Sequence, residues 1–233
     1  IGLLITATLV AAIVWHRSQP RILWPSLGAF LLVGFEGWLG GQVVRSGLEP
    51  WMISAHLMFA LLIVTLLLYA TFVAFRLRAG ESRGGADPIR GRVRWLAVGV
   101  IAVVLLQVYL GTLVRGGIEQ AIDARPDLIR SQWLAAIPMQ DQSHRAVAAV
   151  AGFAVVALML QIRTRLPGDR QLVGWSTVSV SLVIAQIVVG MILGRMDLPP
   201  AAQVLHLSFA SLLLGSLVTV ALVAGHPPQT DRD

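Results

Sequence analysis

Seven apolar stretches dominate this sequence, and most of them have the length of a membrane crossing. They run over about 1–15, 22–39, 53–75, 95–114, 144–162, 172–193 and 202–224 and are called A to G here. A helix needs about 20 predominantly apolar residues to cross the hydrocarbon of a bilayer. Six runs are near that length; run A is shorter. Backbone groups inside lipid must be bonded within their own segment or in a closed barrel, so runs of this kind fold as helices. The expected class is an all-α polytopic membrane protein. Run A opens at Ile1-Gly2-Leu3 with no basic residue before it and no small-residue cleavage site after it. It reads as the tail of a helix whose start lies ahead of Ile1, and not as a signal peptide.

Composition agrees with that class. Hydrophobic residues make up 56% of the 233 positions and charged residues 13%, and mean hydropathy is +0.77. A soluble domain carries about a quarter charged residues, so an ordinary cytosolic domain and a disordered chain are both excluded. With no cysteine, the chain holds no disulfide, thiolate zinc site or iron–sulfur cluster of its own. The net charge of +6 comes entirely from Arg, with no Lys. These Arg lie in short links between apolar runs, where they orient a membrane protein and need no nucleic-acid partner. Twelve fall on one side (links A–B, C–D, E–F and the tail) and six on the other, at Arg45, Arg115, Arg125, Arg130, Arg145 and Arg195. The richer side is expected to be cytoplasmic, with the C-terminus on it. The B–C, D–E and F–G links then face outward, and the long D–E link, about 115–143, has room for a short helix.

The chain contains a repeat. Glu36, Gly40, Leu48, Pro50 and His56 recur as Gln186, Gly190, Leu198, Pro200 and His206, each displaced by 150 positions. Run D begins the same pattern with Gln107 and Gly111, followed after a longer link by His144. Each of the three His has Ala four residues later, at Ala60, Ala148 and Ala210. The expected architecture is two pseudo-symmetric four-helix bundles, with seven helices present and the first truncated. The divisions are 1–76 for an incomplete N-terminal half, 77–94 for a cytoplasmic linker, 95–224 for a complete C-terminal bundle and 225–233 for a tail. By the local offset, the counterpart of His144 falls about two positions ahead of Ile1, so a fourth His is expected outside this chain.

Three His at equivalent places inside membrane helices point to a cofactor. Pro50 and Pro200 suit a first helical turn, and a His six residues on sits roughly 9 Å further along the axis. Imidazole is an axial ligand of heme iron. The small residue at i+4 and the glycines at 40, 111 and 190 leave room for a ring or a close helix. His144 and His206 can ligate one iron from two helices, and His56 would pair with the absent fourth His. Arg45, Arg115 and Arg145 can meet heme propionates or can simply snorkel to the interface. Glu36 lies in a span where an acid is costly. Since Gln107 and Gln186 hold the equivalent places, a hydrogen-bonding role and a catalytic one both stand open. His16 and His226 read as interface and tail residues, and Trp24, Trp38, Trp51, Trp95, Trp133 and Trp175 as interface anchors. No phosphate-binding loop, nucleophile elbow or HExxH stretch occurs.

At these residues the chain resembles the heme A synthase family, whose members have eight helices in two similar four-helix bundles. The resemblance rests on Leu39-Gly40-Gly41-Gln42-Val43-Val44-Arg45 with Pro50 and His56-Leu57, on Leu106 to Arg115, on His144-Arg145, and on Pro199-Pro200 with His206-Leu207. It covers essentially the whole chain, from the family's second helix to its eighth. It implies an oxidoreductase that converts a methyl group of heme O to the formyl group of heme A for terminal oxidases. Successive hydroxylations, with water as the oxygen source, would pass electrons through a bound heme b. His144 and His206 would hold heme b, and His56 would belong to the substrate-heme side. The implied partners are the bilayer, heme O, heme O synthase and a membrane electron acceptor, with homo-oligomerisation left open. The implied location is a bacterial plasma membrane or mitochondrial inner membrane, with the His sites toward the outer face.

The sequence departs from the family pattern in lacking the first helix, the Glu-x-x-His-Arg stretch of the second and the outer cysteines of some members. The Glu linked to catalysis is expected ahead of Ile1, so this chain by itself is not expected to be competent. Two other readings compete. An electron-transfer cytochrome b would use the same paired His, and a repeat-built transporter would use them as proton relays.

Overall fold

A computed structural model describes residues 1–79 and 87–226. The linker residues 80–86 and the tail residues 227–233 lie outside the described part, so those portions of the expected linker and tail are not placed. Among the described residues there are seven α-helices and no strand: α1 (Gly2–His16), α2 (Pro20–Arg45), α3 (Pro50–Arg78), α4 (Pro88–Ala124), α5 (Pro138–Arg165), α6 (Arg170–Arg195) and α7 (Pro200–Ala224). Six of them, α2 to α7, are long and apolar enough to span a bilayer, and α1 is a shorter apolar helix. The chain is a polytopic membrane protein. Its outward faces agree, since side chains such as Phe153, Leu31 and Leu212 are left exposed to the surroundings, which only lipid makes favourable.

Five of the helices begin at proline, whose fixed φ and missing N–H suit the first turn. The sequence placed two of these starts, Pro50 and Pro200. Pro138 starts α5 in the same way, six residues before His144. Run E therefore extends back beyond 144, because its polar first turn (Met139-Gln140-Asp141-Gln142-Ser143) is helical without being apolar. Run D is extended at both ends into the 37-residue α4, about 55 Å long. Helix continues past the hydrocarbon on polar residues such as Glu119 and Gln120. The short helix expected in the D–E link is instead two single 3-10 turns, Arg130–Gln132 and Leu134–Ala136.

The described chain divides into two compact units, 1–87 with His226, and 88–225. In the first, α2 packs on both α1 and α3. One layer joins Ile5, Ala29 and Ile63, with Phe30 and Leu66 against them. A second joins Ala12, Ile22 and Val73.

The second unit closes on itself, with α4 against α5 and α7, and α6 against the same two. Buried residues recur at helical spacing: Val93, Ala97, Val100 and Val104 on α4, and Ala151, Val155, Leu158 and Ile162 on α5. Ser179 of α6 and Ser216 of α7 share a buried hydrogen bond of 2.9 Å, a polar tie between helices that lipid cannot compete for. At one end, the buried Arg90 of α4 pairs with Asp169. Asp169 also caps α6 by accepting from the Leu172 amide at 3.0 Å.

The repeat extends to the backbone. After α2, Gly47 and Leu48 both have positive φ, at 71° and 69°; after α6, Asp197 and Leu198 do, at 54° and 57°. The Leu48 amide donates to Val43 O, and the Leu198 amide to Leu193 O. This six-to-one closure ends a helix through a left-handed residue. The two links thus share one turn at the 150-residue offset, and each delivers a proline-started helix carrying a His in its second turn.

Candidate heme-binding histidines

Each His lies in the second turn of its helix and against a glycine of the preceding one. A Cβ built on Gly40 would lie 3.3 Å from His56 Cε1; one on Gly111, 3.3 Å from His144 Cε1; one on Gly190, 3.6 Å from His206 Cε1. The two shorter distances are tighter than a real Cβ normally tolerates. The glycines therefore admit the imidazole rings. Four residues before each glycine, hence on the same helix face, stands Glu36, Gln107 or Gln186. The structure brings all three to their His. Glu36 Oε2 is 2.7 Å from His56 Nδ1, at ion-pair distance but outside hydrogen-bond alignment. The Gln107 amide is 3.0 Å from His144 Nδ1 and 3.3 Å from its Nε2. Gln186 donates to the His206 carbonyl at 2.9 Å.

In the second unit two of these His converge, one from α5 and one from α7. The ring centroids of His144 and His206 are 6.4 Å apart. Two imidazoles bound to one metal at about 2 Å each, with ring centres about 1 Å further back, stand about 6 Å apart. The observed spacing fits a shared iron. Three buried polar atoms around the pair, Gln107 Oε1, Gln186 Oε1 and His206 Nδ1, have no hydrogen-bond partner and suit a polar ligand or a reoriented amide. Turning the Gln107 amide over would present its oxygen to His144 Nδ1–H.

The three Arg singled out by sequence are exposed, Arg45 at the end of α2, Arg115 within the C-terminal part of α4 and Arg145 beside His144 near the start of α5. Arg115 pairs with Glu119 one turn on, at 3.0 Å, and Arg145 with Asp141 one turn back, at 2.9 Å. The Arg145 guanidinium also reaches within 3.3 Å of a Cβ built on Gly194, which brings it to α6. Arg45 is the last residue of α2. His16 ends α1, and His226 packs edge-on against Phe72 at 5.4 Å between centroids. Sequence reasoning missed Arg130, which lies over Trp133 and donates to Leu198 O at 3.1 Å. That bond ties the long α4–α5 link to the turn ahead of α7.

Comparison with known proteins gives a consistent picture. A family model described as COX15-CtaA, cytochrome oxidase assembly protein, matches residues 1–218. A heme A synthase of Mesorhizobium japonicum is 30% identical over 221 residues, covering 85% of this chain and 59% of that protein. One of Methylobacterium radiotolerans is 29% identical over 213 residues, covering 81% and 55%. One of Allorhizobium ampelinum is 33% identical over 118 residues, covering 50% and 32%. The chain thus spans about a third to three fifths of the length of these relatives. No solved structure matches it.

Proposed function

The chain belongs to the COX15-CtaA family of cytochrome oxidase assembly proteins, and we propose from this that it forms the larger part of a heme A synthase. In this reading the enzyme oxidises a methyl group of heme O to a formyl group, with oxygen entering from water. Electrons and protons leave, the electrons toward a membrane acceptor. The observation that carries the reading is the 6.4 Å spacing of the His144 and His206 rings.

His144 and His206 would hold heme b in the second half, residues 95–224. When bound, heme b supplies a one-electron redox centre. Gly111 and Gly190 leave the rings the space they occupy. Gln107 orients the His144 ring, and Gln186 fixes the α7 backbone at His206. Orientation by such outer partners is what sets a ligand's tautomer and donor strength. Residues 1–76 would form the substrate half, with His56 toward the iron of heme O. Arg45, Arg115 and Arg145 would meet propionates, Arg115 and Arg145 exchanging their own-helix carboxylate for a heme one. The Arg bias of the links sets this His side outward and the C-terminus in the cytoplasm. Heme O synthase is the natural supplier of the substrate.

The test is pigment extraction from the full-length protein purified after co-expression with a heme O supply. Heme B together with heme O, a hydroxylated intermediate or heme A is the expected result. Heme B alone would make the protein an electron-transfer cytochrome, and no heme would return the transporter reading.

A further inference from the structure

Glu36 departs from its own repeat. The equivalent places on α4 and α6 hold the amides Gln107 and Gln186, whereas α2 carries an acid there. That acid is buried, at 6% exposure, and its Oε2 lies 2.7 Å from His56 Nδ1. A carboxylate inside a membrane span is costly and persists with a partner; here the facing group is an imidazole. Gly40, four residues on, receives the Cε1 edge of the same ring. The ring is thus held by α2 along one edge, with Nδ1 toward the acid.

We propose that Glu36 is a positioning residue that makes His56 the strongest electron donor among the three helix-mouth histidines. The proposal rests on the reading of His56 as an iron ligand. At 2.7 Å a small turn of the ring would let the carboxylate accept Nδ1–H, which would fix the tautomer that offers Nε2 to a metal and raise the basicity of that nitrogen. The His144 ring faces a neutral amide, and the amide near His206 donates to its backbone carbonyl and not to its ring, so both gain less. A more basic axial ligand stabilises the oxidised iron, so the heme at His56 has the lower midpoint potential of the two. Electrons drawn from the substrate half then run downhill to the heme held by His144 and His206. The repeat makes two similar pockets, and the one acid sets the direction of flow between them.

The experiment is an equilibrium redox titration of the full-length protein, purified with heme O supplied in the cell, as wild type, Glu36→Gln, Glu36→Asp and Gln107→Glu. Glu36→Gln should move the substrate-half midpoint to more positive potential and leave the other midpoint unmoved. It should also lower heme retention at His56 roughly 10-fold, the range seen when a partner of a metal ligand is lost. Glu36→Asp should restore part of the shift. Gln107→Glu should move the other midpoint downward, and this arm stands even if the α2 variants do not fold. A purely structural Glu36 would lower heme content while leaving the midpoint of the remaining heme in place. An unmoved midpoint in Glu36→Gln, or in Gln107→Glu, overturns the proposal and leaves the heme A synthase reading intact. A wild-type protein with no second heme beyond that of His144 and His206 overturns both.

Discussion

A glycine one helix away decides whether each histidine can turn its ring into the bundle. At Gly111 even a methyl group would meet His144 Cε1 at 3.3 Å, and a packed interior cannot absorb more than a few tenths of an ångström without displacing its neighbour. Gly111→Leu should therefore push the His144 ring off its axis. The expected outcome is loss of the bis-His low-spin spectrum, with the protein still inserted in the membrane. His206→Ala should do the same by removing the ligand, and the two together should be no worse than either. Optical spectra of the purified variants check this; a full heme b spectrum in His206→Ala would dismiss the ligand assignment. The three His, their glycines and the Glu or Gln one turn earlier were all visible in the sequence, because the 150-residue offset aligns two of the sets and run D begins the same pattern with Gln107 and Gly111. What the sequence left open was whether Glu36, Gln107 and Gln186 touch the His at all. That depends on the rotation of one helix about its axis relative to the next, and periodicity within a single helix carries no such information. The pairing of Arg115 with Glu119 and of Arg145 with Asp141 was open for a smaller reason. Both are i,i+4 contacts that become definite only once α4 and α5 are known to extend beyond their apolar cores.

Helices are where apolar patterning was least complete. It located every span, yet it ended run D near 114 and began run E at 144, since hydropathy marks contact with lipid and not helix formation. The polar turns of α4 and α5 are helical by propagation from an established helix, which adds one bond per residue fixed. The links between helices carry a cost that can be measured. Gly47 and Asp197 occupy the same left-handed position of two equivalent turns. A non-glycine residue there costs roughly 1–2 kcal/mol, with Asp among the better tolerated. Asp197→Gly should then stabilise by up to about 1 kcal/mol, and Gly47→Ala should destabilise by about 1 kcal/mol. Thermal unfolding in detergent would show the two melting temperatures moving in opposite directions. At the other end of α6, Asp169 is both a cap and the partner of buried Arg90. Breaking a buried pair from one side costs about 3–5 kcal/mol. Asp169→Ala should approach that loss, and Asp169→Asn should recover the capping share, about 1 kcal/mol. Equal melting temperatures for the two variants would mean that the cap contributes nothing.

At the scale of the whole molecule, the repeat and the charge bias constrain each other. Successive spans alternate in direction across a bilayer, so α3, α5 and α7, which carry His56, His144 and His206 in their second turns, start from one side. The Arg count is the argument for which side that is, and the cytoplasmic assignment is an expectation drawn from it. Six Arg accompany the links that deliver His56, His144 and His206, and twelve accompany the opposite links and tail. Positive charge is retained on the cytoplasmic side when it lies in short links, and the α1–α2 and α5–α6 links are among the shortest here. The long α4–α5 link is the informative exception. It carries Arg125 and Arg130 but also Asp127, and acids contribute little to orientation. Its two Arg are therefore the only real pull against the assignment within that link. Arg130 is engaged with Trp133 and Leu198 O, a fixed position in the folded link. Reporter insertions separate the alternatives. A fluorescent protein placed at Gly168, between α5 and α6, should fold and fluoresce in the cytoplasm, and alkaline phosphatase placed at Asp127 should be active outside. The reverse result would put the His144–His206 pair on the cytoplasmic side and overturn the orientation argued from the Arg.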